Sequence, residues 1–323
     1  MKNEQNLCLE FLGRSRVSTL RSMLEWAEDE LILPRGPFAG LKFKSERQPF
    51  TRILLEELGR WKRHVITGPS QSSKTLTAFH CPLEYHLFEV CEDVICGIPS
   101  LDMVADKWLE DIRPMIESSR YRELLPDRGP GSKGGTATKV QFKHGPSLTF
   151  MTAGGGDKGR AGASSRVLIV TETDGFDSMG GESTEADKLR QLEARVRSHG
   201  LNVMMYMECT VSTEFGRTWR EYQAGTATRL IVPCRHCGHW VTPEREDLHD
   251  WQDCENKMQA GRKAFFACPD CGGAWSADDR VGMNLAARML HRGQEVTETG
   301  EIVGETVETD TLGFRWNAFN NLL

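Results

Sequence analysis

Short apolar runs alternate along the chain with segments whose apolar residues recur at helical spacing. The short runs predict four buried strands, at residues 65–67, 93–98, 167–170 and 201–207. The helical spacing predicts six helices, at residues 17–31, 46–61, 76–87, 100–118, 185–198 and 282–290. A hairpin is predicted for residues 139–143 and 147–151. The alternation favours an α/β fold in which helices cover both faces of a mostly parallel, twisted sheet.

The first strand run leads into the sequence HVITGPSQSSKT, residues 64–75, and then into a predicted helix. This is the layout of a P-loop, in which loop N–H groups and a helix N-terminus bind phosphate. Lys74 would reach the β- and γ-phosphates and Thr75 would ligate Mg²⁺. Ser73 stands where the pattern has its second glycine, and because serine resists positive φ the loop is expected to differ in conformation. The alternative is an ordinary strand-turn-helix connection with a surface lysine. The predicted phosphate-binding residues are Gly68, Pro69, Ser70, Gln71, Ser72, Ser73, Lys74 and Thr75.

The run at 167–170 ends in Thr171, Glu172, Thr173 and Asp174. Parallel strands deliver such carboxylates to the sheet edge where ligands bind in open α/β folds. In a P-loop ATPase this is the Walker B strand, where an Asp helps to hold Mg²⁺ and the following Glu orients water. Glu172 fits the water-orienting position, but Thr171 occupies the Asp position, and Asp174 is the nearest carboxylate to compensate. The alternative is a buried strand that ends in a solvated acidic turn.

Three further features are compatible with nucleotide or DNA chemistry. The Gln48 amide suits the N6/N7 edge of adenine, although a helix-capping role also fits. Hydroxyl residues, including Thr210, follow the strand at 201–207 and are placed to sense a γ-phosphate, although strands often end in such residues for turn chemistry alone. Glycine-rich basic loops at 127–138 and 153–166 are able to follow a phosphate backbone, or are simply mobile connections.

Four of the ten cysteines fall in two CxxC pairs separated by thirty residues, and each pair is followed by glycine. Two such turns supply four thiolates to one tetrahedral ion, which predicts a structural zinc site. A redox role is disfavoured because one pair would suffice for it. The predicted zinc ligands are Cys234, Cys237, Cys268 and Cys271, with His236 and His239 in reserve.

The bulk composition narrows the class of protein. The net charge is −6 and the pI about 5.9, so any polyanion would be met by local basic patches. No apolar run reaches membrane-spanning length and the N-terminus lacks a signal-peptide pattern, so a cytosolic protein without a membrane partner is expected. We divide the chain into an N-terminal helical extension (1–45), a P-loop core (46–228), a Cys₄ module (229–280) and a C-terminal segment (281–323).

In this order the motifs RQP, the P-loop, RVLIVTETDGF, ECTVST, PCRHCGHW and CPDCGG resemble the ATPase part of a tailed-phage terminase large subunit of the lambda-like, gpA-type branch. The resemblance covers residues 46–320. It implies a P-loop fold of the ASCE, RecA-like kind that hydrolyses ATP with Mg²⁺ to drive double-stranded DNA into a procapsid. It also implies a homo-oligomeric ring at the portal, a terminase small subunit as partner, and work in the host cytoplasm.

By position, the resemblance assigns adenine recognition to Gln48, catalysis to Lys74 and Glu172, and coupling to Thr210 and Ser212. It makes Arg160 a candidate arginine finger; Arg128 and Arg166 also lie in suitable loops. The sequence stops where the family's RNase H-like nuclease domain would begin, so nuclease activity is not expected from this chain. The nuclease would then be missing by truncation or carried by a separate subunit.

Two other functions compete with the motor. The departures at Ser73 and Thr171 also fit a weakened P-loop protein that docks nucleic acid as a scaffold. A helicase or remodelling enzyme would share the same core, but the sequence offers no second RecA-like repeat. ATPase activity with and without DNA separates the motor from the scaffold, and strand separation would indicate a helicase.

Overall fold

The computed structural model describes residues 19–132, 136–153, 164–178, 187–211 and 213–322. The predicted arginine finger Arg160 and the hydroxyl residue Ser212 lie outside these ranges. Among the described residues, no helix is long and apolar enough to span a membrane.

Fifteen strands are found among the described residues. They are β1 (Arg63–Thr67), β2 (Val94–Ile98), β3 (Lys139–Gln141), β4 (Ser147–Thr152), β5 (Val167–Thr171), β6 (Met204–Cys209), β7 (Arg229–Pro233), β8 (Trp240–Val241), β9 (Leu248–His249), β10 (Phe265–Ala267), β11 (Ala274–Trp275), β12 (Arg288–Leu290), β13 (Glu295–Val296), β14 (Ile302–Val303) and β15 (Thr311–Arg315). Seven of them form the central sheet in the order β15-β1-β6-β5-β2-β4-β3. Every pairing in this sheet is parallel except the β3–β4 hairpin. The predicted mostly parallel sheet and the predicted hairpin are confirmed.

The helical segments lie between these strands and on the sheet faces. The α-helices are Met23–Glu30, Pro49–Glu57, Cys81–Tyr85, Leu101–Asp106, Arg113–Ser118, Gly175–Ser178, Lys188–Glu193, Arg217–Ala224, Lys257–Lys263 and Ala277–Leu285. The 3₁₀ segments are Ser45–Arg47, Arg120–Leu124, Arg197–Asn202 and Arg245–Asp247, and the π-helical segments are Leu76–His80, His86–Val90 and Lys107–Ile112. Two π-helical segments end just before a helix that carries Pro82 or Pro114 near its start. Proline has no N–H for the helical ladder, which accounts for the wider turn that precedes it.

Alternate residues of β5 face opposite sides of the sheet, and both sides are buried. Val167 and Ile169 belong to the larger core, whereas Leu168 and Val170 belong to a second core. A strand buried on both faces reads as a continuous apolar run instead of an alternating one. This is why the run at 167–170 predicts a central strand correctly.

The helix predicted at 282–290 is wrong in position. Ser276 Oγ accepts a hydrogen bond from Asp279 N at 3.1 Å, and the Asp279 carboxylate accepts one from Ser276 N at 3.0 Å. This reciprocal cap starts the helix earlier, at Ala277–Leu285. Residues of β12, predicted as helix, instead pair antiparallel with β7.

The segment 281–323 also contributes to the central sheet. Its strand β15 pairs in parallel with β1, the strand that leads into the P-loop. Residues 46–228 therefore contain six of the seven central strands, and the seventh arrives from the end of the chain. The local apolar pattern gave no sign of this pairing, because strand neighbours are fixed by tertiary contacts.

Candidate nucleotide site and cysteine cluster

The predicted P-loop connects the end of β1 to a helix that runs on through Leu76–His80. Ser73 adopts a φ of +63° and Gln71 one of +55°, so both lie in the left-handed region. The serine thus takes a conformation that glycine adopts more readily, at a cost of about 1–2 kcal/mol. The Ser73 carbonyl accepts hydrogen bonds from Thr77 N and Thr77 Oγ1, both at 3.0 Å, which starts the helix directly after the loop.

Trp316, the residue after β15, packs against the P-loop. Its Nε1 donates to Ser72 Oγ at 2.9 Å, and Ser72 Oγ donates to Pro69 O at 2.6 Å. A Cβ at Gly68 would lie 2.3 Å from the Trp316 ring, so only glycine fits there. The ring stacks on Phe50 with centroids 4.4 Å apart. No local pattern indicates that Trp316 belongs to the site, because the contact joins residues 244 positions apart.

Lys74 is held by a buried carboxylate that the sequence analysis did not select. Its Nζ donates to Glu208 Oε2 at 2.5 Å, and Thr171 Oγ1 donates to Glu208 Oε1 at 2.5 Å. Lys74 is 6% exposed and Glu208 is fully buried. Glu208 lies on β6, between the P-loop strand and β5, and is paired in register with Ile66 and Thr171. One carboxylate therefore joins the P-loop lysine to the threonine in the Walker B aspartate position.

The P-loop faces a cleft of about 710 Å³. Glu172 and Thr210 reach this cleft from the ends of β5 and β6. Glu172 is exposed and has a φ of +53°, a strained value for a residue with a side chain. Burial raises the pKa of Cys209 to about 11, so its thiol stays protonated 3.8 Å from Glu172 Oε2. Arg35 also lines the cleft. It lies before the predicted P-loop core, so its position did not indicate a role in the site.

Asp174 is used elsewhere. Its Oδ1 accepts hydrogen bonds from Thr218 N at 2.8 Å and from Thr218 Oγ1 at 2.7 Å, at the start of helix Arg217–Ala224. It is not among the described residues that line the cleft. Asp174, the carboxylate predicted to compensate for Thr171, is therefore not the one that Thr171 contacts, which is Glu208.

Gln48 is buried at the position before helix Pro49–Glu57. Its Nε2 donates to Asn321 Oδ1 at 2.5 Å, and its Oε1 accepts from Leu322 N at 2.9 Å. The amide thus binds the end of the chain on both sides, and it makes no capping bond to the helix within the described residues. Neither adenine recognition nor helix capping describes this arrangement, and the adenine role stays a prediction.

A second cleft of about 370 Å³ adjoins the first and shares Arg35, Ser73, Thr75 and Leu76 with it. Its other walls are mostly apolar, and their lining residues are Leu33, Pro34, Pro37, Phe38, His80, Lys107, Asp111 and Met115. Burial, with a smaller contribution from Lys107, lowers the pKa of His80 to about 3. The imidazole is therefore neutral at pH 7 and able to accept a hydrogen bond.

Arg166, a candidate arginine finger, immediately precedes β5 and so lies at the end of that strand opposite Thr171. Its guanidinium makes two bonds to Glu92, at 2.5 and 2.8 Å. The side chain is thus committed to an ion pair at the sheet edge opposite the nucleotide cleft.

The four predicted zinc ligands come together in one cluster, with all sulfur atoms within 4.8 Å of one another. Cys234 Sγ lies 4.0 Å from Cys271 Sγ, and Cys237 Sγ lies 3.9 Å from Cys268 Sγ. Tetrahedral zinc with 2.3 Å bonds requires sulfur separations of about 3.8 Å, so the cluster is compatible with zinc.

The two CxxC turns have matching backbone geometry. Gly238 N donates to Cys234 O at 3.0 Å, and Gly272 N donates to Cys268 O at 2.9 Å. Both glycines have positive φ, +80° and +69°, as the turn requires. The reserve ligands are engaged elsewhere, since His236 Nε2 contacts Ala274 O at 2.8 Å and His239 Nδ1 contacts Asp270 at 3.2 Å.

A P-loop at the end of one strand and an acidic strand end across the same cleft define a P-loop nucleotide-binding class of protein. The family described as phage terminase large subunit gpA, ATPase domain, matches residues 40–293, and the chain belongs to this family. The predicted resemblance is thereby confirmed.

Solved structures of phage terminases are similar to the chain. The HK97 bacteriophage large terminase is 12% identical with a TM-score of 0.45, and the match covers 62% of this chain and 40% of that one. The large terminase ATPase domain of Thermus phage P74-26 is 14% identical with a TM-score of 0.35, covering 60% and 76%. A mutant of that domain is 16% identical, with the same TM-score and coverage. The chain thus spans about 40% of the length of the HK97 protein. No curated protein matches it.

Proposed function

We propose that this chain is the ATP-hydrolysing motor part of a phage terminase, which moves double-stranded DNA into a procapsid. One observation carries the proposal: Lys74, Thr75, Glu172 and Thr210, which come from three separate strand ends, line a single cleft. The family membership supports the same activity.

The residues have complementary tasks in hydrolysis. Loop N–H groups and Lys74 would bind the phosphates, and Thr75 would ligate Mg²⁺, which neutralises charge on the transferring phosphoryl group. Glu172 would orient and activate the attacking water, because its carboxylate reaches the cleft from the far side of the P-loop. Thr210, after the end of β6, would contact the γ-phosphate. Release of the γ-phosphate would then change the position of Thr210 and of the residues that follow it, including Ser212.

The second cleft is the best place for the nucleoside. It continues from Thr75 and Leu76, where a phosphate chain bound by the P-loop would lead, and its apolar walls suit a flat base. Gln48 would take part only after release from Asn321 and Leu322.

The remaining parts of the proposal concern partners and the metal of the cysteine cluster. DNA, the portal, the small subunit and a ring of identical subunits follow from the family. Within such a ring Arg160 would serve as the arginine finger. Zinc at the four cysteines would be structural, because all four tetrahedral positions are taken by sulfur and none is open to substrate. A nuclease acting on the packaged DNA would be supplied outside the described residues.

The test is phosphate release by the purified chain with Mg²⁺-ATP, with and without linear duplex DNA. We expect DNA to stimulate release, and we expect Lys74→Ala and Glu172→Gln each to reduce it by at least about 100-fold. Glu172→Gln should still bind nucleotide, because its side chain is exposed and does not hold the loop.

Lys42→Ala and Glu110→Gln are the matched controls, since both side chains are exposed and lie outside the cleft. They should release phosphate at the wild-type rate. A wild-type chain that binds nucleotide but releases no phosphate, even at high concentration with DNA, would contradict the motor and favour the scaffold function.

A further inference from the structure

In a P-loop ATPase an Asp at the end of the Walker B strand helps to hold Mg²⁺. This chain has no acid at that position. Thr171 stands in the Walker B aspartate position, and its hydroxyl brings no charge to a divalent cation. Asp174 is bound to Thr218. Glu172 is exposed and is needed for water activation. The only described carboxylate that contacts Thr171 is Glu208, from the next strand of the sheet.

Glu208 is fully buried, and its two oxygens have different partners. Oε2 accepts from Lys74 and Oε1 from Thr171, each at 2.5 Å. A buried carboxylate is tolerated only when a cation or several donors compensate its charge. In the structure that cation is Lys74.

Nucleotide binding changes this balance. When Lys74 moves to the β- and γ-phosphates, Glu208 keeps only the neutral hydroxyl of Thr171. A buried charge without a counter-ion costs several kcal/mol, so a second cation in the place of the ammonium group would stabilise the Glu208 carboxylate. Mg²⁺ bound with the phosphates would be such a cation, because carboxylate oxygens and water are its preferred ligands.

Resting on the proposed function, we infer that Glu208 supplies the acidic group of the Mg²⁺ site. The acid thus lies on β6 instead of the neighbouring strand β5, and Thr171 orients it through a hydrogen bond. Glu208 therefore alternates between two cations: Lys74 when the cleft is empty and the metal, directly or through water, when nucleotide is bound. The exchange links Mg²⁺ binding to release of the P-loop lysine.

The test measures binding, not turnover. Affinity for a fluorescent ATP analogue is determined across a Mg²⁺ titration and again in EDTA. For Glu208→Gln we expect the half-saturating Mg²⁺ concentration to rise at least about 10-fold. In EDTA the variant should bind the analogue as tightly as wild type or more tightly, because Lys74 is no longer held by a charge.

Returning the acid to its usual strand is the matched rescue. The double variant Thr171→Asp/Glu208→Gln should restore the Mg²⁺ dependence to within about 3-fold of wild type. Glu208→Asp is a second probe in case Glu208→Gln fails to fold: it keeps the charge for Lys74 but withdraws the carboxylate by one methylene. It should raise the Mg²⁺ requirement by a larger factor than it changes binding in EDTA.

A purely structural role predicts a different result. Glu208→Gln or Glu208→Asp would then weaken binding equally with and without Mg²⁺, or leave the Mg²⁺ requirement unchanged, and either outcome overturns the inference. A wild-type chain that binds nucleotide in a Mg²⁺-dependent way but releases no phosphate overturns the proposed hydrolysis alone. A chain that binds no nucleotide overturns both.

Discussion

The nucleotide cleft and the cysteine cluster both concentrate charged groups at tight turns. The two regions differ in which residues adopt positive φ in those turns. In the CxxC turns the left-handed positions are Gly238 and Gly272, which adopt them without strain. In the cleft the left-handed positions are Gln71, Ser73 and Glu172, which carry side chains. Strain of this kind persists where the surrounding structure enforces it, and it concentrates at sites of function. The unstrained turns fit the structural role proposed for the cysteines, and the strained positions fit the binding role proposed for the cleft.

The two regions also differ in how they neutralise charge. The proposed zinc ion would balance the charge of four thiolates permanently, because all four would be its ligands. Glu208 is bound by an internal cation, Lys74, which is also the lysine that we propose binds phosphate. A permanent charge partner suits a structural centre, and an exchangeable one suits a site that binds and releases its ligand.

A short C-terminal stretch connects the regions. Trp316 lies under the P-loop, and Phe319, three residues later, is fully buried in the core around the cysteines. There it packs edge-on against Phe266 and Trp275, with ring centroids 5.2 and 5.3 Å away. The cysteine cluster therefore anchors a stretch that supports the nucleotide loop.

The largest effect should come from breaking the cysteine centre. Cys268→Ser removes one of four ligands, so bound zinc should fall from about one per chain to near zero, with loss of metal-binding free energy on the order of 10 kcal/mol. Metal analysis and thermal unfolding measure the result. Cys254→Ser is the control, because this cysteine lies outside the cluster. Equal zinc content in the Cys268 variant and wild type would contradict the site.

A smaller effect is expected from Trp316→Ala, which leaves a cavity between Phe50 and the P-loop. The free energy of unfolding should fall by about 3–5 kcal/mol, and nucleotide affinity should fall because Ser72 loses its donor. Trp251→Ala is the control, since this half-buried ring packs against Arg245 in the insertion between the two CxxC pairs. If both variants bind nucleotide like wild type, the C-terminal support of the loop is not needed.

The smallest effect should come from Ser73→Gly. Relief of the left-handed strain should raise the free energy of unfolding by about 1 kcal/mol, measured by chemical denaturation. Ser70→Gly is the matched control in the same loop; Ser70 does not share the positive φ, so its replacement should be neutral or slightly destabilising. Destabilisation by Ser73→Gly would show that the serine side chain stabilises the loop in a way that outweighs the strain.

The sequence by itself was sufficient for features encoded within a few residues. The P-loop, the buried run of β5 and the two CxxC pairs each rest on local spacing, and each lies in the predicted element. Local patterns also misled: residues 282–290 carry helical apolar spacing, yet the cap at Ser276 and the pairing of β12 with β7 decided otherwise.

The tertiary structure alone decided which side chains complete the nucleotide site. Glu208 meets Lys74 across 134 residues and Trp316 meets Ser72 across 244. A glutamate at the end of an apolar strand has no local signature of burial, because its charge is compensated only by groups from neighbouring strands. Gln48 shows the converse: its type suited adenine, but folding placed the end of the chain on its amide. The local sequence pattern predicts the individual helices and strands. The order of the strands in the sheet determines which strand ends lie next to each other.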